Sequence, residues 1–470
     1  MPSTRTLLIL LPLVAACSST ELQTTSTKVT AASPTWNAAP SATTGGHLPE
    51  DWWTAFEQPG LTLSIATALE NNYDLMAAAA RVQAVTAQAR AIAGNRLPQV
   101  NAGLDMAHYR TNLIGLPFPG GPDVLPITDS SFNPGLDLSW EIDLWGRLEA
   151  SENAAIARVE ASDADFAATR LSLAGQTAKA WLARTDALAQ LEIAQQQLRN
   201  AEAQYAYWEL KIRYQSAADA LLQAEAALAL AKAAIPAATN QYEMWDRQLA
   251  SLMGAYPSGP SKSVPAQLPN LPGPVPIGLP ADLIKRRPDL ASAEASVREA
   301  RSSSTAAEAS LYPALSLTGS GGVSTNEFRD LLDFDFRTWS LGASLTAPLF
   351  HGGALRAQAD AAEKMALASE LQFAQSLLRA LAEVENALGS ETQIQARVAE
   401  LDSQWSLLKK RTNNTENRYQ AGVGEAFSIY QQRAEALRAQ SSLHSAQLLL
   451  ITNRIDLYLA LGGGFQTPSQ

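Results

Sequence analysis

The residues that could carry chemistry are few and far apart in this sequence of 470 residues. The histidines at 47, 108, 351 and 444 lack the short spacings that are typical of metal ligands. The glycine run at 462–464 has no lysine of a phosphate-binding loop, and no Gly-x-Ser-x-Gly segment presents a nucleophilic serine. We therefore predict a protein that is not an enzyme and that needs no cofactor or metal.

One position does indicate chemistry, the single cysteine Cys17. It follows an apolar run over 7–16 that is too short to span a bilayer, and the three residues before it are Val, Ala and Ala. This pattern resembles the bacterial lipobox, in which the chain is cleaved before a cysteine that is then acylated. The residue after the cysteine is Ser18, not the Asp that often retains such lipoproteins at the inner membrane. The resemblance therefore favours the outer membrane. An ordinary signal peptide with an incidental cysteine is the alternative.

The charge of the chain argues against a nucleic-acid partner. Lys and Arg number 35 and Asp and Glu 46, which gives a net charge of −11. Non-specific binding of nucleic acid requires a basic face, which this balance does not favour. An ordinary acidic surface explains the charge equally well.

The chain contains two copies of one unit. Asp74 is followed 24 residues later by Pro98, and Asp289 is followed 24 residues later by Pro313. Repetition of this kind indicates repeated structure, and prolines between the copies block both helix and central strand. The predicted parts are a lipoprotein signal peptide over 1–16, an acylated flexible tether over 17–51, a first repeat over 52–255, a Pro-rich connector over 256–280, a second repeat over 281–462 and a tail over 463–470.

Each repeat is predicted to place two strands between long helices. The segment GLDLSWEID, residues 135–143, alternates apolar and polar residues, which is typical of a strand with one apolar and one wet face. Four such strands of about 9–11 residues match tilted transmembrane strands, with loops over about 108–131 and 323–337. The residues predicted to face lipid are Leu104, Leu136, Leu138, Trp140, Leu317, Leu341 and Leu345.

The helices are predicted to be unusually long. Two continuous helices, about 146–213 and 352–419, each span roughly 100 Å at 1.5 Å per residue. Shorter helices, about 59–96 with 219–253 and 281–311 with 425–460, would stack end to end beside them. The apolar positions of the second long helix step by three and four from Phe373 to Leu408, with Glu391 as the interruption, which predicts a left-handed coiled coil.

Four strands cannot close a barrel, and lipid does not tolerate open strand edges. Pooling of strands by two, three or four chains would give about 8, 12 or 16 strands. A soluble sandwich is the alternative, although nothing else in the chain supplies strands to complete it.

The segments DWWTAFEQPGL, GLPADLIKRRPDLASAEASVREA and SLGASLTAPLFHGGALRAQADAA resemble signatures of TolC-like outer-membrane efflux factors. More narrowly, they resemble the NodT/OprM-type lipoproteins that serve resistance-nodulation-division pumps. The resemblance covers about 52–462. It implies a mostly α fold with transmembrane β structure, in which a homotrimer forms a coiled-coil helical barrel and a 12-stranded β-barrel.

The same resemblance implies a function. The protein would be the passive outer-membrane channel of a tripartite efflux system that exports drugs and toxic compounds. It would sit in the outer membrane and extend into the periplasm, with a periplasmic adaptor and an inner-membrane pump as partners. The alternatives are a type I protein-secretion channel and a structural coiled-coil lipoprotein without a pore.

The resemblance also assigns the helical tips, where family members carry Arg-Tyr/Phe-x-x-Gly segments that contact the adaptor. The second tip matches this pattern, while the first has an alanine where the glycine is expected. The second tip also lacks the acidic residues that often follow it in the family, so an acidic constriction would have to come from Asp219 or Glu425. The predicted tip residues are Arg213, Tyr214, Asp219, Arg418, Tyr419, Gly422 and Val423.

Overall fold

The computed structural model describes residues 36, 38, 48–114, 124–212, 218–257, 267–278 and 280–464. A short 3₁₀ turn, Trp52–Phe56, precedes the helices of the first repeat. The elements of that repeat are α1 (Pro59–Asn71), α2 (Tyr73–Gly94), β1 (Gln99–Ile114), β2 (Val124–Ile142), α3 (Arg147–Ile212) and α4 (Ala218–Leu252).

The second repeat has the same order of elements. Short 3₁₀ turns precede its first helix and lie between its strands. Its elements are α5 (Leu283–Arg286), α6 (Pro288–Ala309), β3 (Ala314–Val323), β4 (Arg337–Thr346), α7 (Ala354–Gln420) and α8 (Ala426–Ala460).

The two long helices confirm the predicted lengths. Helix α3 has 66 residues and α7 has 67, so each spans roughly 100 Å. Helix α3 packs along α2 and α4, while α7 packs along α6 and α8. Each repeat is therefore one continuous helix beside two half-length helices, as predicted, and α3 joins the repeats through contacts with α6 and α8.

The first helix of each repeat is broken, contrary to the single helices predicted over 59–96 and 281–311. In the first repeat the break is at Asn72, whose side chain caps α2 by accepting hydrogen bonds from the backbone of Asp74 and Leu75. In the second repeat Arg287 is extended before Pro288, because a proline disfavours helical geometry in the residue before it.

The four strands form one antiparallel sheet in chain order, β1-β2-β3-β4. The predicted lengths hold for β3 and β4, which have 10 residues each. They are wrong for β1 and β2, which have 16 and 19 residues. Most of the predicted loop over 108–131 is strand, because the two segments continue to pair with each other where their polar residues had suggested a loop.

The main core lies near the middle of the long helices, away from the sheet. Trp52 is fully buried there and stacks on Tyr458 of α8, with ring centroids 5.3 Å apart. Trp181 of α3, Leu290 of α6 and Val384 of α7 belong to the same cluster. Because helices of both repeats contribute, this cluster fixes the repeats against each other at mid-height.

Two buried arginines tie the connector and the helices to this core. Arg454 donates to Glu391 through Nε at 2.8 Å and to the backbone oxygens of Pro272 and Gly273 in the connector. In the same region Arg287 donates to Glu383 at 2.7 Å. The pairing of Glu391 explains why a charged residue interrupts the apolar seam of α7.

Candidate functional site

The register of the sheet brings the predicted apolar residues onto one face. Directly opposed residues share a face, and Leu136 lies opposite Ala102 on β1 and Gly321 on β3. Gly321 in turn lies opposite Trp339 on β4. All seven residues predicted to face lipid fall on this side of the sheet, which we call the apolar face.

The opposite side of the sheet, which we call the acidic face, is polar from the helical end as far as Asp105 and Asn133. It carries Asp105 on β1 and Asp129, Asp137 and Glu141 on β2. Only Ser, Thr, Gly and Ala face this way from β3 and β4, and no Lys or Arg of the described strands does. The acidic face suits water, whereas the apolar face suits lipid.

Glu141 differs from the other acids of the acidic face because it has a basic partner. Arg147, at the start of α3, donates to both of its carboxylate oxygens, at 2.8 and 2.7 Å. Bidentate pairs of this kind hold both partners in one orientation. The pair therefore helps to fix the angle at which α3 leaves β2.

The edge strands β1 and β4 each pair with one neighbour and have no strand on their outer side within the described residues. Each edge presents backbone N–H and C=O groups that would be costly to bury unpaired in lipid. The sheet thus has two complete faces and two open edges.

Aromatic side chains collect where the sheet meets the helices. Trp145 stacks on Tyr312 with ring centroids 5.1 Å apart, and its indole N–H donates to the backbone oxygen of Pro313 at 2.7 Å. Both rings are about half exposed, and Leu349 and Phe350 are almost fully exposed. Amphipathic rings of this kind are typical of a membrane–water interface.

At the second helical tip the structure explains the Arg-Tyr-x-x-Gly pattern. Helix α7 ends in a Schellman turn, in which the Val423 N–H donates to the Arg418 oxygen at 2.8 Å and the Gly422 N–H to the Tyr419 oxygen at 2.9 Å. Gly422 has a φ of 77°, a left-handed conformation that glycine adopts without steric cost. The turn leaves Tyr419 and Val423 about half exposed.

The first tip is described only on its two sides. Arg213 and Tyr214 lie outside the described residues, and Asp219 is exposed in the first turn of α4. Sequence reasoning missed an aromatic contact beside this tip, in which Trp208 of α3 packs edge-on to Phe427 of α8 at 5.1 Å. Spacing along each helix could have suggested two apolar faces, but only the fold shows that they meet.

The two candidate constriction acids have different surroundings. Glu425 is the exposed N-cap residue of α8, and its side chain makes no capping hydrogen bond. The pKa of Lys211 is raised, chiefly by a hydrogen bond with Tyr207 and to a smaller extent by the charge of Glu425. Asp219 lies in the first turn of α4, where a negative charge is favourable.

Cys17 lies outside the described residues, but two residues that follow it in the chain, Trp36 and Ala38, contact the helical part. Trp36 is buried and its indole N–H donates to the backbone oxygen of Gly278 at 3.0 Å. The Ala38 N–H donates to the carboxylate of Glu385 at 3.0 Å. These contacts hold Trp36 and Ala38 against the connector and α7.

Comparison with known sequences identifies the family. The family described as "Outer membrane efflux protein" matches residues 64–255 and 279–463. The chain belongs to this family. It is an outer-membrane channel protein of an efflux system, and the predicted family, fold class, function and localisation are confirmed at this level.

Individual relatives agree with this assignment. The chain is 32% identical over 442 residues to the pyoverdine export outer membrane protein OpmQ of Pseudomonas putida, covering 92% of both chains. It is 29% identical to the toluene efflux pump outer membrane protein TtgI of Pseudomonas putida, covering 87% of this chain and 86% of the relative. The solved outer-membrane channel OprN matches with a TM-score of 0.82 at 26% identity, covering 92% of this chain and 97% of OprN.

Proposed function

We propose that three copies of this chain pool their sheets into a 12-stranded barrel in the outer membrane and act as a passive conduit for small molecules. The observation that carries the proposal is the four-stranded sheet with one apolar face, one acidic face and two open edges. Joining β1 of one copy to β4 of the next pairs both open edges over the length of β4, turns the apolar face to lipid and encloses the acidic face around water.

The helical part supports the same assembly. Helix α4 is long and apolar enough by composition to cross a membrane, yet almost none of its most apolar stretch is buried within one chain. Leu222 and Leu230 of this helix are largely exposed, as is Leu407 of α7. Helices α4 and α7 lie at opposite edges of the row α4-α3-α8-α7. Contact of α4 with α7 of the next copy would bury these side chains and close a helical tunnel below the barrel.

The names of the relatives support a proposal for the cargo and the partners. They are named for the export of pyoverdine, toluene and cations, which supports small molecules as cargo. TtgI is named as the outer membrane protein of a pump, so we assign the energy for transport to an inner-membrane pump of the resistance-nodulation-division type. A periplasmic adaptor would join this pump to the tips, with Tyr419 and Val423 exposed for contact at the second tip.

The experiment that tests the conduit is single-channel conductance in planar bilayers, beside the mass of the purified oligomer in detergent. We expect a trimer whose conductance is low and rises when Asp219 or Glu425 is neutralised. A monomer, or a trimer that never conducts even when the tip residues are altered, would favour the alternative of a structural coiled-coil lipoprotein without a pore. A trimer that conducts and exports an unfolded protein in reconstituted assays would favour the protein-secretion alternative.

We further propose that residues 1–16 are removed and that Cys17 is acylated, so that acyl chains add an anchor to that of the barrel. The Cys17→Ser variant is expected to lose labelling by a radioactive fatty acid, because no other cysteine is available for acylation. Ser18→Ala serves as the matched control and keeps its label. Normal labelling of the Cys17→Ser variant would exclude the lipobox.

A further inference from the structure

The β1–β2 hairpin extends beyond the rest of the sheet. The last ladder pair between β2 and β3 joins Gly135 to Gly322, and an isolated bridge joins Phe132 to Thr325. Beyond that point only β1 and β2 pair, from Ala107 opposite Ser131 to Ile114 opposite Val124. We call this two-stranded part, residues 107–114 and 124–131, the upper ribbon. At about 3.4 Å per residue it projects about 27 Å.

The polarity of the two faces reverses in the upper ribbon. On the side continuous with the acidic face lie the apolar residues Tyr109, Leu113, Leu125 and Ile127, with Leu113 directly opposite Leu125. Asp129, opposite Tyr109, is the charged residue on this side of the ribbon. On the side continuous with the apolar face most residues are polar: His108 hydrogen-bonds the Ser130 hydroxyl at 2.9 Å, and Arg110 lies opposite Thr128. Apolar residues return on this side only at the end of the ribbon, where Ile114 lies opposite Val124.

The reversal marks the end of the part of the hairpin that contacts lipid. Charged Arg110 on the lipid side would be costly in hydrocarbon, so the ribbon must project into the water outside the membrane. There the four apolar side chains remain between 37% and 47% exposed in one copy. Exposed apolar side chains that follow one another along one face indicate a contact surface.

The proposed barrel defines what lies opposite this surface. In a trimer the apolar side of each ribbon points towards the threefold axis of the barrel. Each ribbon therefore faces the same apolar side of the other two ribbons. Twelve tilted strands spaced about 4.8 Å apart enclose a barrel roughly 24 Å across, a radius of about 12 Å. The ribbon is therefore long enough to lean across to the axis and meet its two counterparts.

We propose that the three upper ribbons pack against one another through Tyr109, Leu113, Leu125 and Ile127 and form an apolar constriction at the extracellular mouth. The occupant of each surface is thus two further copies of the same chain. Water and hydrated ions cross a closed apolar constriction poorly, and apolar or amphiphilic solutes can part the ribbons by contact with the same side chains. This inference rests on the proposed trimeric barrel.

Cysteine crosslinking in intact cells tests the inference directly, because the chain has a single cysteine, which the proposed acylation blocks. We expect Leu113→Cys to form disulfides between copies under mild oxidation, and Asn112→Cys, on the opposite face one residue away, to form several-fold fewer. The oligomer mass of each variant is measured in the same preparation as its crosslinking. Equal crosslinking at both positions within intact trimers would overturn the constriction and leave the trimer standing. Absence of a trimer would overturn the proposed function itself.

Conductance provides a second test that does not depend on crosslinking. The periplasmic tips also limit conductance. Both variants are therefore made in a background whose altered tip residues already allow current to pass. Ile127→Asn is expected to raise conductance several-fold in this background, whereas Thr128→Asn on the opposite face leaves it unchanged. Equal conductance for the two variants in assembled trimers would overturn the inference.

Discussion

At the scale of single residues, Gly422 shows how one position determines the shape of a tip. The Schellman turn requires a left-handed backbone there, and a Cβ in that conformation costs about 1–2 kcal/mol. The alanine that the sequence has at the corresponding place of the first tip would carry this cost in the same turn. The glycine turn is therefore a property of the second tip.

We predict that Gly422→Ala opens this turn locally without unfolding the protein. Hydrogen exchange at the Val423 amide, which is bonded to the Arg418 oxygen, should become faster, while exchange in the mid-height core stays unchanged. Gly422→Asn should have a smaller effect, because Asn tolerates the left-handed conformation better than Ala. Unchanged exchange in Gly422→Ala would contradict the assigned turn.

The buried pair of Arg454 and Glu391 belongs to the same scale. Arg454→Met leaves the Glu391 carboxylate buried without its partner, which costs about 3–5 kcal/mol. We expect a clearly lower midpoint of thermal unfolding in detergent. Arg433→Met, which breaks a more exposed pair with Glu416, should shift the midpoint little, since such pairs contribute about 0–1 kcal/mol.

The double variant Arg454→Met/Glu391→Leu distinguishes loss of packing from loss of charge compensation. If the uncompensated carboxylate causes the destabilisation, the second substitution should restore most of the midpoint. A double variant as unstable as Arg454→Met alone would show that the destabilisation comes from the lost hydrogen bonds to the connector. Arg454 makes one of these bonds to the backbone oxygen of Gly273.

At the scale of elements, the sheet separates residues that are neighbours in sequence into different solvents. Leu345 lies on the apolar face and Ser344 on the acidic face, because successive residues of a strand point to opposite sides. The same arginine side chain should therefore have very different effects at the two positions.

We predict that Leu345→Arg lowers assembly in the outer membrane, because arginine on the lipid face is destabilising, by about 2–4 kcal/mol at the bilayer midplane and by less towards the strand ends, where Leu345 lies. Leu138→Arg should act in the same way. Ser344→Arg, the control, should assemble. The measurement is the yield of trimer in outer-membrane fractions, and equal yields for Leu345→Arg and Ser344→Arg would remove the lipid-facing assignment.

At the scale of the whole molecule, the acidic face gives the proposed barrel a charge of one sign. Asp105, Asp129 and Asp137 recur in every copy, and no basic residue of the described strands shares their face. Fixed charges in a confined aqueous space attract ions of opposite sign. The lumen should therefore favour cations.

The reversal potential across a salt gradient measures this preference. We expect cations to permeate better than anions, and more so at low salt, because screening extends only about 10 Å at 0.1 M ionic strength. The double variant Asp105→Asn/Asp137→Asn should lose much of the preference. Arg110→Gln, on the opposite face, should retain it, and equal loss in both would contradict the assigned lumen face.

The sequence alone determined the local features of the fold. The strand before each long helix and the turn after it predicted the start of α3 and both ends of α7 to within two residues, while the apolar spacing within α7 indicated its seam. Alternation in the strands predicted which residues share a face. The register places all seven residues that were predicted to face lipid on the same side of the sheet. The quoted motifs were long enough to indicate the family, which the comparisons confirm.

Only the tertiary structure decided how segments distant in sequence meet. It showed that Glu391 pairs with Arg454, that Trp208 meets Phe427, and that β1 and β2 pair well beyond the alternating segment. The physical reason is that such contacts depend on the partner segment, which a local pattern does not contain. By composition, the polar residues of the upper ribbon indicated a loop. In the structure the two segments pair as strands, and this pairing brings Tyr109, Leu113, Leu125 and Ile127 together as a second apolar surface.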